Sequence, residues 1–127
     1  MKKFITVLSF AMIMSSACAQ GSKEKLEIKI FQKELAASQN AVILDVRSEG
    51  EFQGGHLAKA LNMNYNAPNF ADNMSRLDKN KTYFVYCAAG VRSARAAALM
   101  RDAGFKNVLE MKGGLNDWQA AGLPVAK

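Results

Sequence analysis

The stretch TYFVY-CAAGVR-SARAAALM, residues Thr82–Met100, decides the fold because a strand signal passes directly into a helix signal within it. It begins with aromatic and β-branched residues, which predict a buried strand ending at Tyr86. Apolar residues then recur at helical spacing on one predicted face: Ala96, Leu99, Met100 and Ala103. Gly104 stands where a glycine commonly ends a helix. The stretch therefore predicts a strand, a tight loop of small residues, and a helix over Arg92–Ala103.

The same alternation of strand and helix signals extends along the rest of the chain. Further strands are predicted at Leu26–Ile30, Ala41–Val46, Leu61–Tyr65 and Asn107–Met111. A helix is predicted at Phe31–Ser38, and a short one begins at a capping box of Ser48 and Glu51 and runs to Phe52. A third helix is predicted to start at Asn66 or Pro68, with Phe70, Met74 and Leu77 on one face. A last helix, with Leu115 and Trp118, is predicted after Gly113-Gly114. Regular alternation predicts an α/β fold in which helices flank both sides of a central, mostly parallel sheet.

Cys87 directly follows a predicted strand and so lies at the carboxyl edge of the sheet, where open α/β sheets bind ligands. The small residues after it, Ala88 to Val91, let the backbone fold around the sulfur with its N–H groups turned inward. Such a nest at a helix N-terminus stabilises an anion and can lower a cysteine pKa from about 8.5 to roughly 3.5–7.5. Arg92 adds a charge that can hold an oxyanion. The alternative is a buried cysteine in an ordinary turn.

The bulk composition predicts one globular domain. The 127 residues are 50% hydrophobic and 22% charged, which supports a packed core. The net charge of +6 favours anionic substrates, but the basic residues are spread out and form no block that would bind nucleic acid. His56 is the only histidine and no acidic cluster accompanies it, so we expect no metal site and no cofactor.

Residues 1–19 have the layout of a bacterial export signal. Two lysines precede a short apolar run at residues 4–14, and small residues follow. Cleavage after Ala19 would remove this segment, whereas lipobox-like residues 15–18, with a serine where that motif usually has leucine, would make Cys18 the lipidated N-terminus. Both alternatives predict an exported bacterial protein, either periplasmic or held at the membrane through a lipid anchor only.

The remaining chain is predicted to be a polar tether at residues 20–25 and a folded domain at residues 26–127. Cys87 is then a single free thiol in an oxidising compartment, whether Cys18 is removed or lipidated. A lone thiol is a liability there unless it has a use, because it oxidises. This favours a chemical role for Cys87.

Three segments together resemble the rhodanese family. Residues 87–92, CAAGVR, resemble its active loop C-x-x-G-x-R. Residues 45–62 match its D-V-R, E-[FY], G-H-[IL] and A-x-N elements, at Asp45, Val46, Arg47, Glu51, Phe52, Gly55, His56, Leu57, Ala60 and Asn62. Residues 109–125, LEMKGGLNDWQAAGLPV, resemble its closing segment with Gly-Gly, Trp and Gly-x-Pro. The resemblance covers nearly all of the chain after Lys25 and implies a rhodanese-like three-layer fold.

The resemblance implies a sulfurtransferase in which Cys87 carries a sulfane sulfur as a persulfide. The donor would be a small anion such as thiosulfate or a persulfide, and the acceptor a thiol, cyanide or a protein. The substrate-binding residues would be those of the loop: Ala88, Ala89, Gly90, Val91, Arg92 and Ser93. Arg92 would help orient the donor. Asp45 and Arg47 would position the loop, with an ion pair to Glu51, and His56 would be structural, hydrogen-bonded beside the loop.

One departure and two alternatives bear on this function. Ala88 stands where thiosulfate-preferring members often have arginine or another polar residue, which favours a polysulfide or persulfide donor. One alternative is a non-catalytic persulfide carrier or docking module that hands sulfur to a partner. The other is a phosphatase or arsenate reductase of the same fold. Those relatives have an arginine six positions after the cysteine, where this chain has Ser93, and its own arginine is Arg92.

Overall fold

The structure, a computed structural model, describes residues 24–127. The predicted export signal, Cys18 and tether residues 20–23 lie outside the described residues. The strands are β1 Lys25–Leu26, β2 Ala41–Asp45, β3 Leu61–Asn62, β4 Thr82–Tyr86 and β5 Asn107–Met111. They form one sheet in the order β1-β5-β4-β2-β3, and every pairing is parallel. Within residues 24–127, no helix has both the length and the apolar character to cross a bilayer.

Helices cover both faces of this sheet. They are α1 Ile28–Ala37, α2 Glu49–Gln53, α3 Phe70–Ser75, α4 Val91–Asp102 and α5 Gly114–Ala120. Successive residues of β4 point to opposite faces. Tyr83 and Val85 pack in a cluster with α3 and α4, whereas Phe84 and Tyr86 pack in a second cluster with α1 and α5. The predicted α/β fold, with a parallel central sheet between two helical layers, is confirmed.

The N-terminal strand differs from the predicted one. β1 is only Lys25–Leu26, and the predicted strand at Leu26–Ile30 is wrong because α1 already begins at Ile28. Alternation over so short a segment also fits a helix, in which Ile28 and Phe31 share one face. Lys25, the last residue of the predicted tether, lies in β1, and the carbonyl of Glu24 before it accepts a hydrogen bond from the Glu110 N–H of β5 at 2.7 Å.

The edge strand β3 is shorter than the predicted Leu61–Tyr65. The chain beyond it stays against β2 without regular strand geometry. Met63 donates its backbone N–H to Asp45 at 2.9 Å, and Tyr65 donates to Val46 at 3.0 Å. These bonds hold the carboxyl end of β2 from one side, and the pairing of Asp45 with Tyr86 holds it against the carboxyl end of β4, where the sequence predicts the site.

The buried face of α4 also differs from the predicted one. Its buried residues are Ser93, Ala96, Ala97 and Met100. Leu99 was expected in the core, but it is 40% exposed because Ala97 occupies the position that faces the sheet. The small side chains of this face let α4 approach β4 closely, and its N-terminus then lies directly after the loop that begins at Cys87.

Candidate active site

Cys87 lies between the end of β4 and the start of α4, and its side chain is only 1% exposed. The backbone N–H of Gly90 donates to its Sγ at 3.0 Å. Ser93 Oγ lies 3.4 Å from the same sulfur and 3.2 Å from the carbonyl oxygen of Gly90. Gly90 has φ 99, a left-handed conformation that favours glycine. The loop thus places the Gly90 N–H and the Ser93 hydroxyl beside the sulfur.

The surroundings of the sulfur favour its anionic form. Burial raises the pKa of the Cys87 thiol, but hydrogen bonds from Ser93, Gly90 and Ala89 lower it by more, so the pKa lies below its usual value. These donors are the hydroxyl and N–H of Ser93 and the N–H groups of the other two residues. A hydrogen bond to a charged acceptor is stronger than one to a neutral acceptor, so each donor favours the thiolate. The site can therefore hold a sulfur anion without a histidine base.

The first turn of α5 supports the loop from the other side. Leu115 donates its backbone N–H to the carbonyl oxygen of Cys87 at 2.8 Å, and Asn116 donates to that of Ala88 at 3.0 Å. Gly114 has φ 64, and a Cβ there would lie 2.5 Å from both carbonyl oxygens. Sequence reasoning missed this role and took the Gly-Gly pair only as a helix start. The sequence does contain a signal for this role: Gly113-Gly114 follows closely after β5, and the carboxyl end of β5 lies at the same edge of the sheet as the loop.

Arg92 is held by Glu51. Its guanidinium donates to both carboxylate oxygens of Glu51, at 2.7 and 3.0 Å. This contact lowers the pKa of Glu51 to about 2. The predicted capping box of Ser48 and Glu51 is confirmed and fixes the carboxylate at the start of α2. The positive charge that was expected to orient a donor is therefore balanced by a carboxylate beside the loop.

The expected ion pair between Arg47 and Glu51 is wrong. Arg47 instead donates to both carboxylate oxygens of Asp45, the shortest distance being 2.7 Å, and to the carbonyl oxygen of Gly55 at 2.8 Å. The physical reason is position: Asp45 and Arg47 are both buried at the end of β2, whereas Glu51 lies on the exposed surface facing Arg92. The Arg47 guanidinium also lies 5.7 Å from the centre of the Tyr86 ring. The pair therefore joins β2 to the strand that ends at the cysteine.

The His56 side chain lies in a structural position. Its Nδ1 is 2.8 Å from the carbonyl oxygen of Leu57, and its ring stacks on Phe52 with 3.8 Å between ring centres. Its backbone pairs with Ala126. These contacts suit the structural role that the resemblance implies. Among residues 24–127, no group of three His, Cys, Asp or Glu side chains is arranged to hold a metal ion.

The central strand of the parallel sheet leads directly to a hydrogen-bonded cysteine. This arrangement defines a class of α/β proteins in which a loop before a helix binds an anion. Residues 28–121 match the family described as Rhodanese: Rhodanese-like domain. The chain belongs to this rhodanese-like, sulfurtransferase-like family.

Several curated proteins are similar to the chain. It is 27% identical over 101 residues to a sulfurtransferase of Allochromatium vinosum, covering 80% of this chain and 92% of that protein. It is 32% identical over 87 residues to the thiosulfate sulfurtransferase GlpE of Coxiella burnetii, covering 68% and 79%. A 40% identical match to an uncharacterized Synechocystis protein covers 70% of this chain but only 49% of that protein. A tRNA uridine(34) hydroxylase of Erwinia tasmaniensis matches over 27% of its length.

The fold agrees with solved structures of the same family. A rhodanese-related protein from Thermoplasma volcanium superposes with a TM-score of 0.72 at 26% identity, covering 81% of this chain and 97% of that chain.

Proposed function

We propose that this protein is a sulfurtransferase that moves a sulfane sulfur from a donor to a thiophilic acceptor through a persulfide on Cys87. The observation that carries the proposal is the 3.0 Å hydrogen bond from the Gly90 N–H to the Cys87 Sγ, at a strand-to-helix junction. The Ser93 hydroxyl, 3.4 Å from the sulfur, adds to it. Together they stabilise a negative charge where the nucleophile and the persulfide would both carry one.

The first half-reaction loads the sulfur. The Cys87 thiolate attacks the outer sulfur of the donor, a bond forms between the two sulfurs, and the donor's own sulfur bond breaks. Its electron pair leaves with the rest of the donor, which is sulfite for thiosulfate and a thiolate for a persulfide. The enzyme is left as Cys87–S–S⁻, and the N–H groups of the loop stabilise the charge on the outer sulfur.

The second half-reaction unloads it. An acceptor thiolate or cyanide attacks the outer sulfur of the persulfide, and the bond between the two sulfurs breaks. The electron pair returns to Cys87 as the thiolate, which restores the starting state. Both halves need the same anion to be stable at the same place, so one cradle serves the whole cycle.

The charge on the Arg92 side of the loop favours a persulfide donor over thiosulfate. The Ala88 side chain offers no charge or hydrogen-bond donor, and the Arg92 guanidinium is already bound to both carboxylate oxygens of Glu51. A dianion such as thiosulfate would meet little uncompensated positive charge on this side of the loop. A persulfide carries a smaller charge and depends mainly on the backbone donors around Cys87. We therefore propose a protein or low-molecular-weight persulfide as the main donor.

The test is a two-stage measurement on purified protein. Incubation with a donor, followed by removal of excess donor and intact-mass spectrometry, should show one added sulfur, mapped by peptide analysis to Cys87. Addition of cyanide should then release thiocyanate and restore the original mass. Cys87→Ser should take up no sulfur, whereas Ser75→Ala, a hydroxyl deletion on the exposed surface of α3, should behave as wild type. Sulfur transfer retained by Cys87→Ser would overturn the assignment.

Steady-state turnover separates the sulfurtransferase from the alternatives. A carrier module would load one sulfur and then stall unless its partner were present, whereas an enzyme releases thiocyanate continuously from donor and cyanide. Hydrolysis of a phosphate monoester or reduction of arsenate, with no sulfur uptake at Cys87, would favour the phosphatase or reductase alternative. The position of Arg92, five residues after Cys87, argues against that alternative, since it makes a shorter loop.

We also propose that the protein is exported through residues 1–19. Intact-mass spectrometry of protein purified from a bacterial host distinguishes cleavage after Ala19 from lipidation of Cys18. Cys18→Ala would abolish the lipid and release the protein from the membrane fraction if the lipid anchor is correct. Recovery of unprocessed chain from the cytoplasm would contradict export.

A further inference from the structure

A cleft of about 450 Å³ lies beside the active loop, between the start of α4 and the ends of β1 and β5. Ala89, Gly90 and Val91 form its wall toward the active loop. Gly90 is also the residue whose N–H donates to the Cys87 Sγ. A ligand in the cleft would therefore contact the same residue that holds the sulfur.

Three cationic side chains line this cleft: Lys25, Arg95 and Lys112. Lys112 is bound to Glu27 at 2.7 Å. Lys25 and Arg95 are exposed, and neither forms an ion pair with any side chain of residues 24–127. The cleft therefore has two uncompensated positive charges, in contrast to the Arg92 side of the loop, where Glu51 balances the guanidinium.

The rest of the lining is apolar or small. Val91, the first residue of α4, is 60% exposed, Ala94 is half-buried, and Gly113 and the buried Met111 form the remaining lining. A small molecule with a short carbon body and two carboxylates matches this arrangement, because its carbons can cover Val91 and Ala94 while its charges meet Lys25 and Arg95. The cleft has the volume of a small-molecule site, which favours such a ligand over a protein surface.

We propose that this cleft binds the carboxylates of a small dicarboxylate thiol and thereby selects it as the sulfur acceptor of Cys87. The inference rests on the proposed sulfurtransferase function. The acceptor thiolate attacks the outer sulfur of Cys87–S–S⁻, the bond between the two persulfide sulfurs breaks, and its electron pair returns to the Cys87 thiolate. The product is the persulfide of the acceptor, so atoms and charges balance without a further reactant.

The test compares two acceptor thiols on the full-length protein loaded with one sulfur. Mercaptosuccinate carries two carboxylates, and thioglycerol has a similar size and no charge. The double variant Lys25→Gln/Arg95→Gln is compared with wild type for each thiol, so that the intrinsic reactivity of the thiols cancels. We expect the second-order rate constant for transfer to mercaptosuccinate to fall about five- to tenfold, and that for transfer to thioglycerol to stay within about twofold.

The matched control is Lys79→Gln/Lys106→Gln, which removes the same amount of charge from exposed positions at the opposite edge of the sheet. It should leave both thiols unaffected. Raising the salt concentration should slow transfer to mercaptosuccinate in wild type but not in the Lys25/Arg95 variant, because salt screens exposed charges.

The outcomes distinguish this inference from the proposed function. Transfer to thioglycerol without any preference for the dicarboxylate, or an equal loss for both thiols in the variant, overturns the cleft while the sulfurtransferase stands. An equal loss in the control double variant also overturns it, since the effect would then come from net charge. Failure of Cys87 to load sulfur, or to release it to cyanide, overturns the proposed function and this inference with it, whereas release to cyanide but to neither thiol overturns the inference alone.

Discussion

Leu115 donates its backbone N–H to the carbonyl oxygen of Cys87 over 2.8 Å, so the first turn of α5 holds the end of β4. Asn116 holds Ala88 in the same way at 3.0 Å. A carbonyl that is bonded to α5 cannot turn toward the sulfur, which leaves the N–H groups of the loop to face it. The helix that follows the sheet is therefore part of the apparatus that stabilises an anion at Cys87.

This relationship predicts that Gly114→Ala damages the active loop. A Cβ at position 114 would lie 2.5 Å from the carbonyl oxygens of Cys87 and Ala88, closer than real contacts allow. The helix or the loop must move, which weakens the two hydrogen bonds that α5 makes. Urea unfolding should show a loss of stability, and sulfur loading of Cys87 should slow.

Gly122→Ala provides the matched control, because Gly122 has a similar left-handed φ of 76 and nothing within 4 Å of an added Cβ. Both variants pay the conformational cost of alanine in this region, roughly 1–2 kcal/mol. Gly114→Ala should lose about 1–3 kcal/mol more, from overpacking against the loop. Equal losses in the two variants would show that the contact with the loop carbonyls is unimportant.

Removing the hydroxyl of Ser93 should raise the pKa of the Cys87 thiol. Burial raises this pKa, and the Ser93 hydroxyl is first among the hydrogen-bonding groups that outweigh burial and lower it. In Ser93→Ala the pKa should rise toward its ordinary value, because the remaining N–H donors recover only part of the lost hydrogen bond to the thiolate. The midpoint of the pH–rate profile for alkylation by iodoacetamide measures it. Ser75→Ala should leave the profile unchanged.

The same shift makes stability depend on pH. The thiol pKa is lower in the folded protein than the value of about 8.5 expected in the unfolded chain. The thiolate therefore contributes stability that is fully present above about pH 8.5 and is lost as the pH falls through the folded-state pKa. The wild-type free energy of unfolding should rise with pH across this window, and the rise should be smaller in Ser93→Ala. A flat profile in wild type would contradict a stabilised thiolate.

The parts of the fold that were predicted correctly depend on local pattern. β4 and β5 have the predicted bounds, Thr82–Tyr86 and Asn107–Met111, because aromatic and branched residues bounded by turns specify a buried strand by themselves. The segment at residues 26–30 was assigned wrongly because so short an alternation fits both a strand and a helix. Only the backbone pairing with β5 decides between them.

The partners of the two arginines could not be predicted in the same way. The sequence indicates that Arg47, Arg92, Asp45 and Glu51 belong near the loop, and all four lie there. Which carboxylate meets which guanidinium depends on how α2 is placed over the end of β4. Glu51 and Arg92 are 41 residues apart, so no local pattern links them. The support that α5 gives to Cys87 was missed for the same reason.

Neutralising Glu51 should improve thiosulfate as a donor. In Glu51→Gln the Arg92 guanidinium loses its anionic partner, so a dianionic donor meets an uncompensated positive charge beside the loop. KM for thiosulfate, followed by sulfite release, should fall about two- to fivefold, because exposed charge pairs are worth up to about 1 kcal/mol. KM for a monoanionic persulfide donor should change less than KM for the dianionic thiosulfate. Glu49→Gln is the charge-matched control, because it removes one negative charge from the same helix at a residue whose side chain bonds to Gln53 and not to Arg92.

The pH dependence of this effect has a defined sign. Arg92 holds the pKa of Glu51 at about 2, so the pair is intact at every pH where the protein is assayed. The stability it contributes is present above the ordinary carboxyl pKa of about 4.3 and is lost as the pH falls through about 2. The titration of Glu51 should therefore cause no change in the donor preference of the wild type between about pH 5 and 9.

A thiosulfate KM that rises in Glu51→Gln would contradict the Glu51→Gln prediction, because it would show that Glu51 orients Arg92 for the donor.

Removing the charge of Asp45 should destabilise the fold strongly. Asp45 is completely buried, and its carboxylate holds the buried guanidinium of Arg47 with a shortest distance of 2.7 Å. In Asp45→Asn the arginine stays charged with no anionic partner, which typically costs about 3–5 kcal/mol. The midpoint of urea unfolding should fall accordingly, while the m-value, the slope of the free energy of unfolding against urea concentration, stays the same.

Asp72→Asn makes the matched comparison, because it breaks an ion pair with Arg76 in which both side chains are largely exposed. That variant should lose less than about 1 kcal/mol, since water and salt screen an exposed pair. Asp45→Asn should also slow sulfur loading at temperatures where it remains folded, because Val46 donates to the carbonyl of Tyr86, one residue before the cysteine. Losses of similar size in Asp45→Asn and Asp72→Asn would mean that Arg47 does not depend on Asp45, and that the end of β2 is fixed by its backbone alone.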